Sequence, residues 1–244
     1  MSSTIETMAS RLRCRLVPVL LSIALAATSL RAADEPLHYL RDGKPDAVTL
    51  LAPPPLPGSA EQAADLAEVQ AVCHAAPSPD IAVAFSEKKF SIFNFTPAIG
   101  VFFQSNNLPT TTAFFQRVQR DAATVTDQAK DYYKRPRPFV IDPSLAAGKL
   151  EKSFSYPSGH ATESMVLALV LAELFPDRHD AIIAEARAIG WHRVEIARHY
   201  PTDIYAGRTL AQAIVRQMKK SDAFEKDFTA AQSEVAAAQA TAKK

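Results

Sequence analysis

The chain has 244 residues, of which 48% are hydrophobic, and its formal net charge is +1. This length and composition predict one substantial hydrophobic core and leave little room for two domains. The near-neutral charge argues against a broad nucleic-acid-binding surface, because such surfaces carry a large excess of lysine and arginine. Any positive charge with a function must therefore be local.

The first 33 residues have the pattern of a cleaved secretory signal peptide. Three arginines within residues 11–15 precede an apolar stretch over 16–30, and small residues follow at 32–33. This order of positive, apolar and small residues is typical of a signal removed on export. The apolar stretch contains Pro18 and is short for a membrane-spanning helix, so an uncleaved anchor is the less favoured alternative. We therefore expect a periplasmic or secreted protein without stable membrane insertion, whose mature chain has 23 basic and 25 acidic residues.

Removal of this segment would leave one cysteine, because Cys14 lies within it. Cys73 would then have no intrachain disulfide partner, and we expect it to be a small buried apolar residue. Cys73 and His74 have no second pair at the spacing of zinc ligands, so no metal site is expected.

The next segment predicts an arm followed by a first helix. Residues 34–58 are polar and then proline-rich, which favours an extended arm, either packed against the body or a solvated linker. Ser59 and Gln62 form a capping-box pattern that predicts a helix to about Ala75.

The middle of the chain contains the strongest helix signals. Residues 79–104 are ambiguous, whereas 109–133 have helical character that ends before Pro136. The stretch 158–175 is apolar on nearly every side, which predicts a helix at the centre of a helical core.

The last third predicts further helices. Asp177 is a candidate cap for a helix to about residue 198, and Pro201 suits the first turn of another to about residue 220. Residues 221–244 are rich in alanine and lysine and predict a final helix or a tail. Because strand signals are sparse, the sequence predicts an all-α fold.

The segment Ser158-Gly159-His160 lies where the most apolar helix begins. The first backbone N–H groups of a helix lack internal partners and favour anions. Ser158 and Gly159 could therefore present amides and a hydroxyl to a phosphate, and His160 could protonate a departing oxygen. The alternative is that Ser158 only caps the helix.

Arg193, His199 and Asp203 follow at short spacing. A carboxylate beside a histidine fixes its tautomer and stabilises the positive charge that grows when the other nitrogen attacks. His199 is thus the candidate nucleophile, Asp203 its orienting group, and Arg193 a planar donor for phosphate oxygens. A surface His–Asp pair and a solvated arginine are the alternatives.

A third basic segment precedes both. It contains Lys130 and two Arg-Pro pairs at Arg135 and Arg137, and the prolines stiffen the loop that carries the arginines. The alternative is a basic helix end that merely favours the helix dipole.

Together these motifs resemble the signature of the type 2 phosphatidic acid phosphatase (PAP2) superfamily. The order is Lys-x6-Arg-Pro, Pro-Ser-Gly-His, and Arg-x5-His-x3-Asp, and the first spacing selects Arg137 over Arg135. The flanking residues resemble the bacterial class A non-specific acid phosphatases, over roughly residues 50–220. The chain departs from the family at His192, where serine is usual, and this change could alter the phosphate pocket or its pH profile.

The resemblance implies a single-domain helical bundle over residues 59–220, of the type shared with vanadium haloperoxidases. It also implies hydrolysis of small phosphomonoesters through a phosphohistidine, with neither metal nor cofactor. In that scheme His199 is the nucleophile, His160 the general acid and Asp203 the orienting group. The phosphate-binding residues would be Lys130, Arg137, Ser158, Gly159 and Arg193.

These roles require opposite protonation states of the two histidines, which predicts a bell-shaped pH profile on the acidic side of neutral. Three other functions remain as alternatives: a vanadate-dependent haloperoxidase, a lipid phosphate phosphatase and a non-enzymatic periplasmic anion-binding protein. The oligomeric state stays open, a homo-oligomer included.

Overall fold

The computed structural model describes residues 37–242, and this part of the chain is helical without β-strands. The predicted signal segment, residues 1–33, lies outside the described residues. No helix within 37–242 has the length and apolar character needed to cross a membrane. The helices are α1 (Ala47–Leu50), α2 (Ala60–Ala75), α3 (Ser78–Ser86), α4 (Thr96–Ile99), α5 (Pro109–Tyr133), α6 (Pro138–Ile141), α7 (Gly159–Leu174), α8 (His179–Glu195), α9 (Pro201–Met218) and α10 (Asp222–Ala242).

Helix α7 is the centre of the bundle, as its apolar sequence predicts. It packs against α5, α8 and α9, and α10 covers α5 from the other side. Val166, Leu167 and Leu171 on α7 are completely buried. Since each buried aliphatic side chain stabilises the fold by about 1.5–3 kcal/mol, this helix fixes the positions of its neighbours.

Helices α7 and α9 approach closely because Gly207 has no side chain. A Cβ atom there would lie 2.8 Å from the carbonyl oxygen of Ser158 and 3.0 Å from Oγ1 of Thr162. The approach is completed by a hydrogen bond from the Ser158 amide to the carbonyl of Asp203, 3.0 Å long. The start of α7 is thereby fixed beside the start of α9.

The predicted helix at Ser59 is present, with one difference at its cap. The Ser59 hydroxyl accepts from the Gln62 amide at 3.1 Å. The reciprocal half of the capping box is missing, because Oε1 of Gln62 accepts from Arg135 at 2.8 Å instead.

The prediction for the helix after α7 was wrong at both ends. Asp177 does not cap it, because Pro176–Arg178 form a 3₁₀ turn and α8 begins at His179. The helix ends at Glu195, since Ala197 takes a positive φ of 52° that no α-helix contains. The loop that carries His199 therefore starts earlier than the sequence indicates.

The proline-rich segment contacts the body where it begins. Leu51 is buried, and the hydroxyl of Tyr133 donates to its carbonyl at 3.2 Å. The hydroxyl of Tyr156 donates to the carbonyl of Ala52. Further along, Leu56 is 72% exposed.

Candidate active site

The structure brings the three predicted segments together around His199. Positive charge on Arg137, Lys130 and Arg193 acts on this imidazole, as does His160. The cations come from the end of α5, the loop before α6 and the last turn of α8. Three elements distant in sequence thus supply one electropositive cluster.

His199 is buried, with each ring nitrogen facing a different partner. Nδ1 lies 3.3 Å from Oδ2 of Asp203, and Nε2 lies 3.2 Å from a terminal nitrogen of Arg137. Because a guanidinium can only donate, Nε2 is the acceptor and the ring proton is on Nδ1. Burial, followed by the charge of Arg137, lowers the pKa of His199 well below its usual value. Its Nε2 therefore carries a lone pair and no proton, which is the state that a nucleophilic histidine requires.

Asp203 is fixed by more partners than the sequence suggests. Its Oδ2 accepts from the Ser155 hydroxyl at 2.5 Å and the Tyr200 amide at 3.0 Å. Its Oδ1 accepts from Arg135 at 2.6 Å. Ser155 and Arg135 were missed as site residues, because nothing in the local sequence shows which carboxylate they contact.

Arg135 has a different environment from Arg137. This difference agrees with the motif spacing, which selected Arg137 and not Arg135 as the phosphate-binding arginine. Its guanidinium donates to Asp65 at 2.6 Å and to Thr202 at 2.7 Å, and it lies 3.8 Å above the Tyr200 ring. All of its charge is balanced within the protein, so Arg135 supports Asp203 and does not face a substrate.

Arg137 is oriented by backbone carbonyls. It donates to the carbonyls of Ser153 at 2.8 Å, Arg198 at 2.7 Å and Phe154 at 3.2 Å. Because neutral carbonyls leave the positive charge uncompensated, the guanidinium keeps its attraction for an anion beside His199.

Arg193 is buried, but an acidic side chain already contacts it. Its guanidinium donates to Glu151 at 2.8 Å and to the carbonyl of Ala84 at 3.2 Å. Its Nε has no hydrogen-bond partner within residues 37–242. Burial lowers the pKa of Arg193 to about 10, which keeps it charged at neutral pH. The unpaired Nε is the donor that a phosphate oxygen would use.

Lys130 and Gly159 face each other. A Cβ atom on Gly159 would lie 3.2 Å from Nζ of Lys130, so glycine is what allows this approach. Burial and the charge of Arg137 lower the pKa of Lys130. Nearby, burial raises the pKa of Glu163 to about 7, and Gln119 donates to its carboxyl group at 2.9 Å.

The expectation for Ser158 needs one correction. Its backbone amide is not available to an anion, because it donates to the carbonyl of Asp203 at 3.0 Å. Its hydroxyl oxygen caps α7 by accepting from the Ala161 amide at 3.3 Å. The hydroxyl proton and the first-turn amides of Gly159 and His160 remain as donors for phosphate.

His160 differs from the protonated acid that the sequence predicts. Its Nε2 donates to the carbonyl of Glu87 at 3.0 Å. Burial, followed by the charges of Arg193 and Lys130, lowers the pKa of His160 to about 3. The same cations that would bind a phosphate thus keep this ring neutral until an anion offsets their charge.

His192 also has a defined partner. Its Nδ1 lies 2.8 Å from Oε2 of Glu87, whose side chain is 4% exposed. Hydrogen bonding to this carboxylate raises the pKa of His192. Glu87 was not predicted as a site residue, since no motif pairs it with a residue more than a hundred positions later.

Comparisons with known proteins identify similar phosphatases. A non-specific acid phosphatase of Providencia stuartii is 29% identical over 91% of this chain and 98% of its own length. An acid phosphatase of Zymomonas mobilis is 29% identical over 81% of this chain and 78% of its own length. Among solved structures, a transmembrane PAP2-type phosphatidylglycerolphosphate phosphatase of Bacillus subtilis aligns over 71% of this chain and 89% of its own, with 20% identity and a TM-score of 0.48.

The match to a family model covers the whole of the site. Residues 113–223 fit the model described as the PAP2 superfamily, and this range contains Lys130, Arg137, His160, His199 and Asp203. The three motifs and the relatives named as acid phosphatases agree with this match. Residues 113–223 of the chain match the PAP2 superfamily.

Proposed function

We propose that this protein is an acid phosphatase that hydrolyses small phosphate monoesters through a phosphohistidine at His199. The proposal rests on the protonation state and orientation of the His199 ring. Its Nδ1 proton faces Asp203, and its Nε2 lone pair lies among the cations. The relatives named as acid phosphatases support the same reaction.

The first step transfers the phosphoryl group to the enzyme. Nε2 of His199 forms a bond to phosphorus while the bond to the ester oxygen breaks, and that oxygen takes a proton from His160. Asp203 stabilises the positive charge that develops on His199. Lys130, Arg137 and the Nε of Arg193 stabilise the charge on the equatorial oxygens.

The second step releases phosphate. Water attacks phosphorus, gives a proton to His160, and breaks the bond to Nε2 of His199. The products are an alcohol and inorganic phosphate, and both histidines return to their starting states. The hydroxyl of Ser158 and the amides at the start of α7 serve the same oxygens in both steps.

The proton on His160 arrives with the anion. Burial and the nearby cations lower the pKa of His160 to about 3, so a phosphate dianion among those cations would offset their contribution and raise that pKa. A substrate monoanion can also bring the proton itself. Both routes favour turnover at acidic pH, where monoanions and protons are abundant.

We also propose that the reaction needs no metal ion and takes place in the periplasm. Three buried cations supply the charge that a metal would otherwise contribute to phosphoryl transfer. The predicted signal segment at residues 1–33 supports export.

The test is hydrolysis of p-nitrophenyl phosphate in the presence of EDTA. We expect the parent to be active and His199→Ala to lose kcat by about 10³-fold or more, since a missing nucleophile removes the covalent route. His179→Ala is the matched control, because His179 is an exposed histidine on α8. Full activity of His199→Ala would refute the mechanism, and loss of parent activity in EDTA would refute metal independence.

A further inference from the structure

Buried Glu87 and half-buried His192 form an ion pair next to the site, although neither belongs to the phosphate-binding set. Nδ1 of His192 lies 2.8 Å from Oε2 of Glu87, and the two side chains are 17% and 4% exposed. Burial of a carboxylate is costly unless a cation or hydrogen-bond donor compensates it. This pair therefore holds Glu87 against the last turn of α8.

The main chain of Glu87 contacts the proposed general acid. Its carbonyl oxygen accepts from Nε2 of His160 at 3.0 Å. Three residues later, the ring of Phe90 lies 5.3 Å from the His160 ring. The segment from Glu87 to Phe90 thus forms one wall of the pocket around this imidazole.

A second contact fastens the preceding residues to the same helix turn. Arg193, which follows His192, donates to the carbonyl of Ala84 near the end of α3 at 3.2 Å. The end of α3 is therefore held to α8 at two adjacent positions. Of these two contacts, the Glu87–His192 pair is the one that contains a hydrogen-bond partner of His160, because the carbonyl of Glu87 accepts from that ring.

We propose that Glu87 and His192 are positioning residues that orient His160 for proton transfer to the leaving oxygen. With Nε2 engaged by the Glu87 carbonyl, Nδ1 is the nitrogen that carries the transferred proton. The inference rests on the proposed phosphatase reaction and adds to it a role for the residue at which the chain departs from its family.

The charges around the pair favour a protonated His192. Asp80 on α3 and Glu195 on α8 act on it together with Glu87. Glu185, also on α8, interacts with both members of the pair. Removal of the imidazole would leave several acidic groups without their cation, and the Glu87 segment would then move away from α8.

A misplaced general acid has a specific kinetic signature. An alkoxide is a poor leaving group and needs a proton as it departs, whereas dinitrophenolate leaves readily without one. Loss of orientation at His160 must therefore slow an alkyl ester more than a dinitrophenyl ester. A general loss of folding or of phosphate binding would slow both alike.

The experiment compares kcat/KM, which reports the phosphoryl-transfer step, for glycerol phosphate and dinitrophenyl phosphate in the parent, His192→Ala, His192→Asn and Glu87→Gln. We expect His192→Ala to lower the ratio of kcat/KM for glycerol phosphate to kcat/KM for dinitrophenyl phosphate by about tenfold, a part of the usual contribution of general acid catalysis. His192→Asn keeps a donor near the position of Nδ1, so we expect it to restore most of the ratio. Glu87→Gln keeps the shape of the side chain and should lower the ratio less than His192→Ala.

His179→Gln on the same helix is the matched control, because its imidazole pairs with exposed Asp180. An unchanged ratio in folded His192→Ala, or an equal loss with both esters, would overturn the inference. Failure of the proposed function would give different kinetic results. In that case the parent would hydrolyse neither ester, or His199→Ala would retain full activity.

Discussion

His199 and His160 share one set of cations, and the proposed mechanism requires opposite protonation states of the two rings during turnover. Burial and the cations keep both rings neutral, which suits the proposed nucleophile at once. It suits the acid only after an anion has compensated Lys130, Arg137 and Arg193. At the scale of single residues, the substrate phosphate is thus part of the acid catalyst.

Glu163 adds a negative charge that depends on pH. Burial raises its pKa to about 7, and the nearby charge of Lys130 opposes that rise. Below pH 7 the carboxyl group is neutral and Lys130 is left to bind phosphate. Above pH 7 the carboxylate competes with the substrate for the same cation.

We predict that Glu163→Gln lowers KM for p-nitrophenyl phosphate at pH 8 and changes it little at pH 5. The expected effect at pH 8 is about fivefold, on the order of 1 kcal/mol for one nearby charge. Steady-state kinetics at the two pH values measure it. Asp127→Asn is the control, since that carboxylate is 68% exposed although it lies 3.8 Å from Nζ of Lys130. An equal fall in KM at both pH values would contradict the prediction.

At the scale of elements, Arg135 joins two helices, one of which carries Asp203, the proposed orienting carboxylate. It contacts Gln62 and Asp65 on α2, and Thr202 and Asp203 on α9. Both carboxylates are buried, and Arg135 is 4% exposed. The position of Asp203 therefore depends on α2, a helix that is distant in sequence from the three motifs.

We predict that Arg135→Ala lowers the free energy of unfolding by about 3–5 kcal/mol, because it leaves two buried carboxylates without their cation. Chemical denaturation at neutral pH measures this change. Arg216→Ala, at an exposed position on α9, should stay within about 0.5 kcal/mol of the parent. Equal stability of the two variants would show that the buried network contributes nothing.

The sequence predicted elements well where local chemistry decides them. Helices α5 and α7 have the expected bounds, because proline begins the first and Ser158 caps the second. Asp177 was wrongly expected to cap a helix, because Pro176 permits a 3₁₀ turn that local patterns do not separate from a helix start.

The candidate site was predicted less completely, for a physical reason. The motifs identify groups that would act on a phosphate, and the structure brings these groups together. Contacts between distant parts of the chain decide the rest. Glu87 reaches His192, Glu151 reaches Arg193, and Arg135 reaches Asp203, each across more than forty positions. No spacing rule connects such pairs, so the supporting residues appear only in the fold.

At the scale of the whole molecule, the neutral histidines make stability depend on pH. The pKa of His160 is about 3 in the folded protein, against about 6.5 for an unperturbed histidine in an unfolded chain. Between these values the unfolded chain binds a proton that the folded protein does not, so stability falls as pH falls from about 6.5 toward 3. At pH 5, this difference at His160 alone lowers the free energy of unfolding by about 2 kcal/mol relative to its value above pH 6.5.

We predict that Tm of the parent falls between pH 7 and pH 5 in acetate or similar buffers, and that inorganic phosphate offsets the fall. Phosphate binds the native state and favours protonation of His160, so it stabilises more at pH 5 than at pH 7. His160→Gln lacks this titration and should show a shallower fall. Calorimetry provides the comparison, and parallel profiles of parent and variant would refute the assigned pKa.

The proposed mechanism requires that His199 carries the phosphoryl group during turnover. The most direct measurement is the mass of the intact chain after alkaline quenching during turnover of p-nitrophenyl phosphate, followed by peptide mapping. We expect one phosphoryl group on the peptide that contains His199, and none in His199→Ala. An active parent with no phosphorylated chain at any quench time, or with the phosphoryl group on another residue, would contradict it.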